Sequence, residues 1–256
     1  MPFLENVTRG RGVPPQRLAE VARHYLHFGG VSPINAQNRG LVAAIREDFA
    51  AHGLHLPVFW GNRNWSPYVG DVVREMAGAG VRNALVFVTS AYASFSACRQ
   101  YQDDLAGAAS ALGTSAPELH KLRHFFDHPG FVEPQQDALR AALAGIDARR
   151  RAATQVVFVA HSVPEAMAVA SGPSGGLYVA QLEAAASAVA ATVPGMQWRL
   201  AYSSRSGAPS AAWLGPDVND TIRALAAGGA GDVVVVPIGF VSEHIEVRWD
   251  LDVEAA

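Results

Sequence analysis

One pattern, Pro-x-Val-x-Asp-x-(Val or Ile)-Arg-x-(Met or Leu)-Ala, occurs twice in this sequence, from Pro67 to Ala77 and again from Pro216 to Ala226. A glycine and then a short apolar run follow each copy. Pro216 follows Pro67 by 149 residues. That interval is too long for a solenoid repeat and suits two similar α/β domains. Any two amphipathic helices ahead of a strand share some features, but so many matches at one offset favour duplication.

The rest of the chain alternates in the same way. Residues 14–28 begin with prolines, carry apolar side chains at helical spacing and stop at Gly29, and a second helix is predicted from Ser32-Pro33 to His52-Gly53. Short apolar runs stand between helical patterns at Leu56–Trp60, Ala84–Val88, Val156–Ala160, more weakly Trp198–Tyr202, and Val233–Ile238. Most are β-branched or aromatic, which predicts parallel sheets built from βαβ units. The polar stretch Gly113–Pro117 is the expected crossover, giving domains over 1–115 and 116–256, with an acidic helix over 242–254 closing the second.

Composition excludes several classes. Half of the 256 residues are apolar and the formal net charge is −3, which leaves no footprint for nucleic acid. No apolar run approaches the roughly 20 residues that span a bilayer, and the first dozen residues lack the apolar core of a secretory signal. A single cysteine, Cys98, excludes an internal disulfide and a multi-thiolate metal site. These features predict a cytoplasmic protein. Neither a Walker A sequence nor a G-x-G-x-x-G is present, so a nucleotide enzyme gains no support.

In open parallel sheets ligands bind beyond the carboxyl ends of the strands. Here those ends run into Thr89–Ser96, into His161-Ser162-Val163-Pro164, and into Gly239–Glu246. On a helix from Ser242 advancing about 100° per residue, Glu243, Glu246, Asp250 and Glu254 share a sector of about 80°. Ile245, Trp249 and Val253 flank it on one side, Val247 and Leu251 on the other, and Arg248 with Asp252 supply the solvent face. Like charges at this spacing destabilise a helix unless protons or a cation compensate them. An inward-facing carboxylate ladder therefore suits a relay for protons or a hard divalent ion; the bland alternative is a solvated acidic face. His161, straight after a buried-type strand, stands where α/β enzymes place a proton acceptor or metal contact, although a lone histidine there is more often structural. Ser32 reads first as a helix N-cap and second as a carboxylate-binding group. Arg9 and Arg11 either pair with acidic groups of a ligand or serve as surface charge.

Taken together these residues resemble ferrochelatases. The strand-end histidine motif is Val159-Ala160-His161-Ser162-Val163-Pro164, and the acidic motif runs from Pro237 to Glu246 and on through Trp249-Asp250. Gly29 to Pro33, Tyr101 and Trp213–Val218 match as well, while Phe3–Gly12 and His24–Gly30 look actinobacterial. The similarity covers essentially the whole chain. It implies two similar Rossmann-like, chelatase-type α/β domains with parallel sheets and a porphyrin cleft between them. It implies insertion of ferrous iron into coproporphyrin III, with His161 and Glu246 as catalytic and metal-binding residues and Asp250 and Glu254 passing metal or protons behind them. Ser32, Tyr101 and Tyr25 would contact the porphyrin, and Arg9 and Arg11 its propionates. Iron enters as a substrate and no tightly bound cofactor is expected. Ser171 stands where some relatives carry an iron–sulfur cysteine, so no cluster is expected, and the chain is taken as a monomer.

The family normally begins with a strand and a glycine turn ahead of the segment matching Met1-Pro2-Phe3 and continues beyond Ala256, so both ends are expected to be incomplete. Three alternatives stay open: a protoporphyrin IX ferrochelatase, a chelatase for another divalent metal, and a porphyrin- or haem-binding protein without catalysis. A solute-binding protein would share the two-domain shape but calls for a signal sequence.

Overall fold

The computed structural model describes residues 2–8, 13–94, 99–205 and 211–256. The chain divides into two compact units, each drawn from separated stretches: Met1–Phe87, Arg99–Leu122 and Ser242–Trp249 in the first, and Val88–Cys98, Arg123–Val241 and Asp250–Ala256 in the second.

The first unit opens with α1 (Pro2–Val7), α2 (Pro15–His27), α3 (Ile34–Ala51) and α4 (Val69–Gly78), followed by β1 (Asn83–Val86), α5 (Tyr101–Ser110) and β2 (Glu118–Lys121). Pro15 sits in the first turn of α2, where its missing N–H is no loss, and Gly29 and Gly30, both at φ 82°, end it. β1 and β2 pair in parallel from Asn83 opposite Glu118 to Val86 opposite Lys121. The segment 113–117, expected as a crossover, holds a single 3-10 turn (Gly113–Ser115) just ahead of β2. The run Leu56–Trp60, expected as a strand, joins no ladder among the described residues; the Val58 carbonyl instead accepts from the Arg46 guanidinium at 2.7 Å. A strand exists only through the partner it pairs with, and among the described residues the sheet of this unit has two strands. A sheet that narrow covers little apolar surface, and Leu85 of β1 remains 73% exposed.

The second unit holds α6 (Pro129–Ala144), α7 (Ala148–Arg151), β3 (Gln155–His161), α8 (Glu165–Val169), α9 (Leu177–Ala190), β4 (Trp198–Ser203), α10 (Val218–Ala227) and β5 (Val233–Val236). Its strands lie in the order β4-β3-β5, all parallel. β3 is central, and Val156 to Ala160 are fully buried because helices cover both faces. The alternation of the pleat sorts them: Val156, Phe158 and Ala160 pack with Leu139, Leu143, Leu182 and Val189 of α6 and α9. Val157 and Val159 pack on the other face with Val218 and Leu225 of α10. Burial of each larger side chain contributes about 1.5–3 kcal/mol.

Local geometry repeats with the sequence. α4 and α10 begin and end at equivalent positions of the two copies. The carbonyl of Pro67 accepts the Asn62 amide at 2.7 Å, and that of Pro216 accepts the Tyr202 amide at 2.9 Å. Each helix then ends on a left-handed glycine, Gly80 at φ 78° and Gly229 at φ 89°, a conformation in which any Cβ would be strained. The following amide turns back in both, from Val81 to the Met76 carbonyl and from Ala230 to the Leu225 carbonyl, each at 3.0 Å. A strand follows in both. Among the described residues, no helix is long and apolar enough to cross a membrane.

Candidate functional site

In the second unit, β3 carries His161 to its carboxyl end, where it stands opposite Ser203, the last residue of β4. Three contacts fix this end of the strand. The Ser162 amide donates to the Ser203 carbonyl at 2.8 Å, the Ser162 hydroxyl to the Leu214 carbonyl at 2.8 Å, and the Tyr178 hydroxyl to the His161 carbonyl at 2.7 Å. The imidazole Nδ1 lies against the Ser162 carbonyl. A carbonyl only accepts, so this contact assigns the proton of a neutral ring to Nδ1 and makes Nε2 its basic nitrogen. The Phe240 ring stands 6.5 Å from the imidazole, tilted by 52°.

Phe240 is held there by the turn after β5. Ile238 is fully buried, its carbonyl accepts the Tyr92 hydroxyl at 2.8 Å, and the Gly239 amide donates to the Val159 carbonyl at 3.0 Å. A Cβ on Gly239 would lie 2.5 Å from the Ala160 Cβ, so this motif position needs glycine for close approach. Asp250 also belongs to this unit. It opens a π-helical turn, Asp250–Glu254, in which the Ala255 amide reaches back five residues to the Asp250 carbonyl at 3.1 Å. The Ser204 hydroxyl donates to the Asp250 carboxylate. Ser204 is the residue that sequence reasoning missed; its only signal was its place one step beyond β4.

In the first unit, α11 (Ile245–Trp249) carries Glu246. Its partner is α2: His24 stacks on Trp249 with ring centroids 3.9 Å apart and planes 5° from parallel, His27 meets the same ring edge-on at 5.5 Å, and the Arg248 guanidinium lies 4.3 Å from the Phe28 ring. This packing brings Tyr25 of α2 close to Glu246. Burial pushes the Tyr25 phenol above its ordinary range, and the Glu246 carboxylate adds to the rise. Tyr101 starts α5 beneath the Arg63 guanidinium, 4.9 Å from its ring centre, and Arg63 also pairs with Asp104. Burial raises the Tyr101 phenol, Arg63 opposes the rise and Asp104 adds to it. Ser32 lies in the turn between α2 and α3. It was expected to cap α3, but its Oγ is 3.5 Å from the Ile34 amide, the outer limit of a hydrogen bond.

The acidic stripe departs from its expected form. Its helix begins at Ile245 rather than Ser242, and it widens into the π turn at Asp250, so a constant advance of 100° per residue does not carry through to Glu254. Glu243, Glu246 and Glu254 are exposed, Asp250 is half-buried, and Arg248, expected on the solvent face, is half-buried over Phe28. The structure brings Tyr25 together with Glu246 in one unit, and Ser204 with Asp250 beside the His161 strand end in the other. Among the described residues, no three His, Cys, Asp or Glu side chains gather closely enough to hold a metal ion by themselves. Arg9, Arg11 and Cys98 lie outside the described residues.

A family model described as Ferrochelatase matches residues 1–256. Proteins named coproporphyrin III ferrochelatase are similar over the whole chain. The one from Streptomyces coelicolor is 53% identical, with 100% of this chain aligned to 72% of the relative. That from Nocardia farcinica is 54% identical over 100% of this chain and 73% of its own length, and that from Frankia alni is 54% identical over 100% and 67%.

Proposed function

The chain belongs to the ferrochelatase family, and we propose that it inserts ferrous iron into coproporphyrin III, giving Fe-coproporphyrin (coproheme) for haem synthesis. The observation that carries this reading is the match, over the whole of this chain, to relatives bearing that name at above 50% identity. The reaction exchanges two pyrrole protons for one Fe²⁺ and changes no oxidation state. It therefore needs a base at the ring nitrogens, a ligand that binds iron and releases it, and walls that hold the macrocycle.

His161 is the base in this reading. With the ring proton at Nδ1, Nε2 is the nitrogen that accepts pyrrole protons in turn, and the fixed end of β3 restricts its position. Glu246 is the ligand that hands iron to the ring, with Asp250 and Glu254 passing metal or protons behind it. Tyr25, Tyr101 and Ser32 contact the porphyrin; with their phenols raised by burial, the two tyrosines stay neutral and serve as hydrogen-bond donors. Arg9 and Arg11 take the propionates, since guanidinium forks match carboxylates.

The chain works as a monomer without a resident cofactor in this account. The hydrogen bonds of Ser171 support that reading: its buried hydroxyl donates to the Ala168 carbonyl at 2.6 Å and accepts the Tyr178 amide at 2.8 Å. The test is Glu246→Gln, measured for coproporphyrin binding by fluorescence and for iron insertion by visible absorption under anaerobic conditions. Retained binding with insertion lost is expected. Normal turnover would remove Glu246 from the mechanism.

A further inference from the structure

Among the described residues, Ser204 is the one non-glycine residue with positive φ, at 64°. A side chain in that region clashes with its own backbone, and glycine adopts it without that strain. A serine there is accounted for by what its hydroxyl does. The hydroxyl donates to the Asp250 carboxylate and lies 3.2 Å from the Ser203 hydroxyl. Ser204 has one hydrogen to give and gives it to Asp250, so Ser203 is the donor of the other pair. The result is a directed chain from Ser203 through Ser204 to Asp250. Ser203 is 2% exposed and stands opposite His161 across the β3–β4 ladder, which anchors that chain beside the histidine. At the other end, Asp250 opens a π turn, and such turns occur preferentially at functional sites.

We propose that Ser204 is a positioning residue for iron delivery, its strained backbone aiming the hydroxyl that holds the Asp250 carboxylate beside the strand end of His161. The role rests on the metal-insertion reading. Ser204 touches neither iron nor porphyrin and acts through Asp250.

Three substitutions separate the hydroxyl from the turn. Ser204→Ala keeps the strained φ and loses the donor, Ser204→Gly relieves the strain and loses the donor, and Ser204→Asn keeps a donor on a residue that tolerates left-handed φ. Loss of a hydrogen bond to a charged group predicts a rise of about tenfold in the KM for ferrous iron in the Ala and Gly variants. The KM for coproporphyrin stays unchanged, and Ser204→Gly melts no lower than the parent. Ser204→Asn restores the iron KM to within about threefold. Because the two residues act as one unit, Ser204→Ala/Asp250→Ala should be no worse than Asp250→Ala alone. Parental iron kinetics in both Ala and Gly variants, or fully additive losses in the pair, would overturn the proposal. If the parent binds Zn²⁺ but does not metallate coproporphyrin, the insertion reading fails on its own, and the same cycle on Zn²⁺ affinity decides the Ser204–Asp250 coupling. If the parent neither turns over nor binds Zn²⁺, both readings fall.

Discussion

The hydroxyl of Tyr178, on α9, donates to the backbone carbonyl of His161 at 2.7 Å, tying a helix of the second unit to the end of its central strand. Burial pushes the Tyr178 phenol far above its ordinary range, with Tyr202 adding to the rise, so it remains a donor throughout the working pH range. Tyr178→Phe leaves that carbonyl without this partner. It should lower unfolding free energy by about 1–3 kcal/mol and reduce the turnover number severalfold, with the coproporphyrin KM unchanged. Chemical denaturation and steady-state kinetics measure both, and an unaltered variant would show that the strand end does not depend on the tether.

His161→Ala should lower metallation by at least about 100-fold, the usual size of a lost general base, while coproporphyrin still binds. Fluorescence quenching measures binding and absorption measures insertion. Undiminished turnover would leave the histidine with a structural role alone.

Two glycines should respond in opposite directions. Gly239→Ala places a methyl 2.5 Å from the Ala160 Cβ and 2.6 Å from its Cα, against a buried strand that has nowhere to move. Overpacking of this kind costs about 1–3 kcal/mol. Gly70, inside α4, has open space where a Cβ would go. Gly70→Ala should raise stability by about 0.5–1 kcal/mol through helix propensity. Paired thermal melts read both signs, and Gly239→Ala melting at the parental temperature would contradict the close packing.

Alkaline stability should follow the buried tyrosines. Burial first, and the Glu183 carboxylate second, push the Tyr202 phenol from its ordinary value of 10.0 up to about 12. The unfolded chain therefore ionises first. The neutral phenol's contribution to stability is fully present below pH 10 and is lost as pH rises towards about 12. Tyr202→Phe should flatten the decline in that window, as urea unfolding at stepped pH measures; an unchanged slope would show that Tyr202 does not carry it.

β3 was readable because a strand covered on both faces shows itself as a continuous apolar run, Val156 to Ala160, and the duplicated helices because proline, helix, glycine and strand recur at one offset. β2 was not readable: Glu118-Leu119-His120-Lys121 has no β-branched residue, and only pairing with β1 makes it a strand. Leu56–Trp60 failed in the opposite sense, since it has strand composition but joins no ladder among the described residues. At the site, the place of His161 followed from a local rule about strand ends. Ser204 did not, because its role depends on Asp250, 46 residues away, and on a backbone angle that no spacing rule encodes. The acidic stripe was legible as composition, while its geometry was altered by a π turn that a 3.6-residue period does not anticipate.

The central claim is tested most directly by incubating the purified chain anaerobically with ferrous iron and, in separate reactions, coproporphyrin III and protoporphyrin IX, following loss of porphyrin fluorescence and the shift of the visible bands. The account predicts metallation of coproporphyrin at a faster rate than protoporphyrin. Coproporphyrin that binds and stays metal-free, or protoporphyrin that is metallated faster, would contradict it.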